Sequence, residues 1–356
     1  MRVLGINISH DASSCLYEDG EIKFYIEDER LAWEKHYQYI IPIKKKYWGL
    51  QKIIDLKIDK IDHIIFSSFR QRDIDDQLIA SDIIDQIRSC SIDIGQIHFL
   101  KKEHHLYHAY NAFYNSKFEE AVALVIDGAG AYIEDNVDLN NDNKLEKVYR
   151  EIESIYRFKK DGQREILYKH YSNHQFQYGV RHMEVTYEPH EVVKSNIVSC
   201  GRMFSAASKK VGLNEGYGAG TFMAMAPYAK DVTPIEWVKD GILTEQAQIS
   251  LNPDIKISLW EDKTKLAHRV QEATKEITIH RIQKAIDKSG CKNIVMSGGY
   301  FLNCVNNYEY LKAFPDVNFY IDPMAHDGGT SLGAVYFLCE ALKLPINPIK
   351  DLYLGI

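Results

Sequence analysis

The chain opens on an apolar run, MRVLGINIS, with the pattern of a buried strand. The next segment, SCLYEDGEIKFYIEDER, divides into two strands at Asp19–Gly20, a dipeptide suited to a tight hairpin. Spacing turns helical in IPIKKKYWGLQKIIDL and returns to a strand in IDHIIFSSF. DIDDQLIASDIIDQIRSC is helical again, with Ile74, Leu78, Ile79, Ile83, Ile84 and Ile87 forming an apolar stripe. A further helix begins at HHLYHAYNAF and runs to about residue 116, followed by the strand AVALVIDGAGA. Residues 140–195 carry hairpin signals around KKDGQRE. SNIVSCGRMFSAASKKVGL is helical, the Gly-rich turn NEGYGAG follows, and a long helix spans about 263–289. The last strands are NIVMS and VNFYI, and a helix closes the chain after HDGG.

One arrangement recurs: an apolar strand ends in small and acidic residues, as in GINISHDAS, LVIDGAGA and IVMSGGYFLN. This predicts an α/β protein, a single domain of two mixed lobes, about 1–130 with the last helix partly returning to it and about 131–356, with a ligand in the cleft between them. Strand ends and Gly-rich turns let backbone approach phosphates closely. A dinucleotide fold needs Gly-x-Gly-x-x-Gly after the first strand; GINISHDA stands there instead. No repeat of 20–50 residues is visible in the sequence.

Composition changes the picture little. Of 356 residues 45% are hydrophobic and 26% charged, with a net charge of -7, which argues against a broad non-specific nucleic-acid footprint. The six cysteines are scattered with no CxxC pair and read as reduced thiols. No basic-then-apolar leader and no apolar run of membrane-spanning length is present, so a cytoplasmic protein without a membrane partner is expected.

The candidate chemistry lies at the strand ends. His104 and His108 are i and i+4 on a helix and face one way, whereas His105 does not. Asp127 and Asp327, both in turns, would complete a set of two imidazoles and two carboxylates suited to iron, zinc or manganese rather than magnesium. The same histidines would equally serve as a polar helix start. His10, in SHDASS, has the chemistry of a general base, or is a neighbour of turn residues in which Asp11, Ser13 and Ser14 bond backbone amides. Gly298 and Gly299 permit close approach of a flat base or a ribose, or a turn with positive φ. HDGGTSLGA offers Asp327 and backbone amides at a helix start.

Taken in order, LGINISHDASSCLYEDGEI, EDER…EKH…IP (Glu27 to Arg30, Lys35, His36, Pro42), HHLYHAYNAF, ALVIDGAG, GGYFLN and HDGGTSLGA resemble the O-carbamoyltransferases of nodulation-factor and antibiotic tailoring. The final DLYLGI resembles the end of that family's first domain. The resemblance implies a two-lobed actin-like, sugar-kinase-type fold shared with tRNA threonylcarbamoyl transferases. It implies transfer of a carbamoyl group from carbamoyladenylate, made from carbamoyl phosphate and ATP, to an acceptor hydroxyl. That hydroxyl would belong to a sugar, a small molecule or a hydroxymethylated nucleobase of DNA. Carried over residue by residue, it assigns the metal, iron in the family, to His104, His108, Asp127 and Asp327, and the catalytic base to His10. Adenosine binding falls on Gly298, Gly299 and Asn303, with Asp11, Gly128 and Gly328 in the same turns completing the cofactor site.

Two departures from the family stand out. The C-terminal domain that forms carbamoyladenylate is not in this sequence, so three alternatives stand: a separate protein supplies the intermediate, both steps run in one cleft, or the sequence is a piece of a longer protein. Within NEGYGAGTFMAMAPYA, alignment on APY puts the family's Lys at Thr221 and its Glu at Ala219, displacing Glu215. A tRNA threonylcarbamoyl transferase-like enzyme and a non-catalytic actin-like nucleotide-binding module are the alternatives. The EDER…EKH block disfavours the first, and the combination of a base with four ligands disfavours the second.

Overall fold

The computed structural model describes residues 1–39, 46–68, 73–99, 103–134, 148–173, 184–186, 190–233, 236–351 and 354. Pro42 and most of DLYLGI lie outside them.

The first half begins with β1 (Arg2–Asn7), β2 (Ser13–Glu18) and β3 (Glu21–Glu27). It continues through α1 (Glu29–Ala32), α2 (Trp48–Asp55), β4 (Lys60–Ser67), α3 (Asp73–Ser89), β5 (Asp93–Phe99) and α4 (His104–Ser116). The hairpin turns at Asp19 and Gly20, both at positive φ, as its sequence predicts. The second half contains β6 (Glu120–Ile126), β7 (Tyr132–Glu134), β8 (Val148–Lys159), β9 (Arg164–Ser172), β10 (Glu184–Thr186) and β11 (Glu191–Ser195). Then come α5 (Cys200–Lys210), α6 (Ala219–Met225), the short hairpin β12 (Val238–Lys239) and β13 (Ile242–Leu243), and α7 (Glu245–Ser250). The half ends with α8 (Trp260–Ser289), β14 (Asn293–Ser297), α9 (Cys304–Ala313), β15 (Asn318–Ile321) and α10 (Thr330–Ala341).

Both main sheets follow one plan. In the first, the order is β3-β2-β1-β4-β5, the first three strands antiparallel and the last two parallel to β1. In the second, β9-β8-β6-β14-β15 repeats that order and those directions, with β10 and β11 added at one edge and β7 on β8. This duplicated order is the two-lobed actin-like α/β fold the sequence predicts. The duplication lies in topology alone, which is why no sequence repeat announces it.

Each half ends in a helix that covers the other half's sheet. α10 packs on β1, β2 and β4, α4 packs on β6, β8 and β14, and the two helices lie against each other. Leu106, Tyr110 and Phe113 of α4 and Leu332, Val335 and Cys339 of α10 share one core with Val3, Cys15, Val125 and Val295. Their approach depends on Gly333, where an added Cβ would stand 1.8 Å from the Tyr107 carbonyl oxygen. The outer face of the first sheet carries a core with Leu50, Ile53, Ile79 and Ile83, and that of the second a core with Met203, Phe222, Val270 and Ile282.

Two local expectations change. Leu78 is 51% exposed, so the buried stripe of α3 narrows to Ile79, Ile83 and Ile87; Ile74's side chain is outside the description. β5 has no clear signal in the sequence, because this edge strand, DIGQIHF, is mostly exposed. Among the described residues no helix is long and apolar enough to cross a membrane.

Candidate active site

The chain leaves β1, β6 and β14 at their carboxyl ends into turns that meet in one cleft, the usual ligand position in open α/β sheets. α4 begins at His104, so His104 and His108 stand one turn apart with their Nε2 atoms 3.2 Å from each other. Asp127, just past β6, brings Oδ2 to 3.5 Å from His104 Nε2. Asp327, ahead of α10, brings Oδ1 to 3.4 Å from His104 Nε2 and 3.5 Å from His108 Nε2. All four residues are buried, and one donor atom from each falls within 4.8 Å of the others. Burial works against a charged His104, but the Asp327 and Asp127 carboxylates raise it to about 10. Asp127, which burial and Asp327 push upward, is nonetheless held down at about 2 by His104 and His108. Asp327 lies well below the carboxylate range for the same reason.

The surrounding residues fix these donors. The Gly299 amide donates to Asp127 Oδ1 at 3.1 Å. Ser297 Oγ lies 3.4 Å from His108 Nδ1 and donates to Asp322 Oδ2 at 3.1 Å, which also accepts from Asn111 at 2.6 Å. Burial pushes Asp322 up to about 6. His105 turns away: its Nδ1 is 2.8 Å from Ser154 Oγ of β8, and burial pushes it down to about 4. Two imidazole nitrogens and two carboxylate oxygens converging in a buried pocket fit a first-row divalent cation.

His10 lines the same cleft, partly exposed, with Nε2 3.5 Å from Asp11 Oδ2; Asn7 Nδ2 ties its carbonyl to that of Asp327, donating at 2.7 and 3.1 Å. Asp11 is buried and is a hub: Oδ1 is 2.6 Å from His36 Nδ1, and Oδ2 is 3.7 Å from His326 Nδ1. His326 Nε2 meets Glu27 Oε1 at 3.2 Å, and Tyr25 donates to the same oxygen at 3.0 Å. His10, Asp11 and His36 also bring donor atoms within 4.8 Å of one another. The His10 and His36 rings, however, stack 4.6 Å apart at 16°, so their in-plane lone pairs run side by side and do not converge on one ion. This second group is a hydrogen-bonded assembly.

Both groups open into a cavity of about 450 Å³, a size suited to a small-molecule ligand. His10, Asp11, Asp127, Gly128, Gly299, Asn303 and Asp327 line it; Gly298 and Gly328 do not, and shape its walls instead. Gly298 sits at φ +99, where an added Cβ would lie 2.2 Å from the Ile126 carbonyl oxygen, so the β14 turn can cross β6 only there. The Gly328 carbonyl accepts from Ser13 Oγ at 2.7 Å. Asn303 accepts from the Asn306 amide as the cap of α9 and is paired with Gln271. Glu215 stays outside, paired with Lys209 at 3.2 Å, while its neighbours Gly216 and Tyr217 line the cavity.

His36, His326, Glu27 and Tyr217 belong to this site and were given no role by sequence reasoning. His36 and Glu27 sit in the EDER…EKH block and His326 directly precedes Asp327, but their partners are remote in sequence: His36 and His326 meet at Asp11, and Glu27 meets His326.

Residues 80–336 match the family described as carbamoyltransferase N-terminus. The chain is 21% identical over 381 residues to nodulation protein NolNO of Sinorhizobium fredii (strain NBRC 101917 / NGR234), covering 97% of this chain and 49% of that protein. It thus spans about half the length of this relative. Among solved structures, HypF of T. kodakarensis superposes with a TM-score of 0.58 at 11% identity, over 96% of this chain and 48% of that one. Full-length HypF in its phosphate- and nucleotide-bound form gives 0.57 at 14% identity, over 96% and 56%. At such identities the two structures speak to the fold alone.

Proposed function

The chain belongs to the carbamoyltransferase N-terminal family, and from that premise we propose that it moves a carbamoyl group from carbamoyladenylate to an acceptor hydroxyl. The carbamoyladenylate would be formed from carbamoyl phosphate and ATP. The observation that carries the reading is that His10, Asp127 and Asp327 line one cavity, with His104 and His108 in contact with the two aspartates.

His104, His108, Asp127 and Asp327 would hold a divalent cation, iron by family resemblance, which when bound supplies electrostatic stabilisation of charge on the carbamoyl oxygen and the departing phosphate. The wall of Gly128, Gly299 and Asn303 would seat the adenosine. His10, on the same cavity, would take the proton of the acceptor hydroxyl as its oxygen attacks the carbamoyl carbon. The new bond joins that oxygen to the carbamoyl carbon; the bond to the phosphate breaks, and its electron pair leaves with AMP. Acceptors left open by the cavity are a sugar, a small alcohol and a hydroxymethylated nucleobase.

The test incubates purified protein with carbamoyl phosphate, ATP and an iron salt, and screens these acceptors by mass spectrometry. Acceptor-dependent AMP release with a carbamoylated product is expected. His10→Ala should cost about 10²–10⁴-fold in turnover with the metal content unchanged, whereas Asp327→Asn should lose the metal. Normal transfer by His10→Ala would remove His10 as the base.

A further inference from the structure

Three rings line one side of the cavity as a continuous stack. His10 lies on His36 at 4.6 Å and 16°, and His36 lies on Tyr217 at 5.1 Å and 13°. His36 is held from four directions: His10 and Tyr217 on its faces, Asp11 Oδ1 at 2.6 Å from Nδ1, and Glu29 Oε2 accepting its backbone N–H at 2.9 Å. Asp11 and His36 both adopt left-handed backbone conformations, φ 53 and 55. Non-glycine residues in that region carry a backbone cost that the surrounding structure must sustain, and they concentrate at functional sites. The short contact is a charge-assisted hydrogen bond, with the carboxylate as acceptor and Nδ1–H as donor.

We propose that Asp11, His36 and Tyr217 form a positioning assembly for His10. His36 Nδ1–H anchors one carboxylate oxygen of Asp11, which leaves the other facing His10 Nε2. Tyr217 clamps the stack from the Asn214–Gly218 turn ahead of α6, in the stretch where this chain departs from the family pattern. With Nε2 turned to Asp11, His10 Nδ1 receives the acceptor proton, and the resulting imidazolium keeps its Nε2–H beside a carboxylate that is already in place. No reorganisation is then required as charge develops. His36 does not touch the reacting atoms in this scheme; it acts through Asp11.

The inference rests on the cavity being the carbamoyl-transfer site, so its test has one arm independent of turnover. In full-length protein labelled with ¹⁵N-histidine, the His36 ring should carry a proton on Nδ1, the minor position in free imidazole side chains. That signal should disappear in Asp11→Asn. In the kinetic arm, His36→Ala should lower kcat by about ten- to a hundredfold with the KM for carbamoyl phosphate unchanged, as expected when geometry and not binding is lost. His36→Asn, which tolerates the left-handed backbone and offers an amide N–H in place of Nδ1–H, should restore most of the rate. Tyr217→Ala should lower kcat less than His36→Ala does, again with KM unchanged. A deprotonated Nδ1 on His36, or wild-type kcat in His36→Ala, or no recovery in His36→Asn, overturns the assignment. Should the wild type transfer nothing to any acceptor, the transfer reading fails, and the ring-proton measurement decides this inference alone.

Discussion

Glu153 of β8 is fully enclosed between Arg281 of α8, whose Nε lies 2.5 Å from its Oε2, and His170 of β9 at 3.2 Å. Burial favours the protonated carboxyl, but Arg281 and His170 hold Glu153 down at about 2, below its ordinary 4.5. A depressed carboxyl contributes stability that is present above pH 4.5 and is lost as pH falls toward 2, on the order of 3 kcal/mol for such a shift. Glu153→Gln should therefore flatten the acid limb of the urea midpoint against pH. At pH 7 it should cost about 3–5 kcal/mol, since Arg281 is left buried without its partner. At this scale the sequence was legible where a motif is local. The i, i+4 spacing separated His104 and His108 from His105, and the cluster they form with Asp127 and Asp327 is present. It was silent on Glu153 and Arg281, 128 residues apart, and on His36 and Asp11, because pairs made only by tertiary contact leave no periodicity.

Among elements, the contact of α4 with α10 matters most to the site, because α4 carries His104 and His108 while Asp327 immediately precedes α10. Their separation is set at Gly333, with the Tyr107 carbonyl 1.8 Å from where a Cβ would stand. A methyl group there can be accommodated only if the helices part. Gly333→Ala should reduce bound metal at equal protein concentration, measured by elemental analysis, although no donor atom has been altered; full metal content would show that the helices can shift without moving the cluster. Overpacking of this kind also costs about 1–3 kcal/mol. Strands bearing continuous apolar runs, such as β1, β6 and β14, were readable from sequence because both their faces are covered. β5 was not, since an edge strand need not be apolar.

For the whole molecule, the cluster draws its donors from α4 at the end of the first half and from the turns after β6 and before α10 in the second. A cation held there stabilises only the state in which both halves are assembled. Chelation should thus lower the thermal midpoint, by about 2.7 kcal/mol of linkage for metal supplied at 100 times its Kd. Scanning calorimetry with and without chelator should record that fall as a shift of a single endotherm; two separated endotherms would mean that the halves melt independently. The two-lobed plan was visible in the sequence as strand ends repeating small and acidic residues. Of the helix exchange, the return of the last helix to the first lobe was part of that reading; the covering of the second sheet by α4 was not, because an amphipathic helix does not declare which sheet it covers. That exchange gives the chain the anatomy of an intertwined dimer fused into one polypeptide. Severed between α4 and β6, at residues 117–119, it would yield not two domains but two complementary fragments. Each would hold the lid of the other's core, and neither could assemble the His–Asp cluster alone.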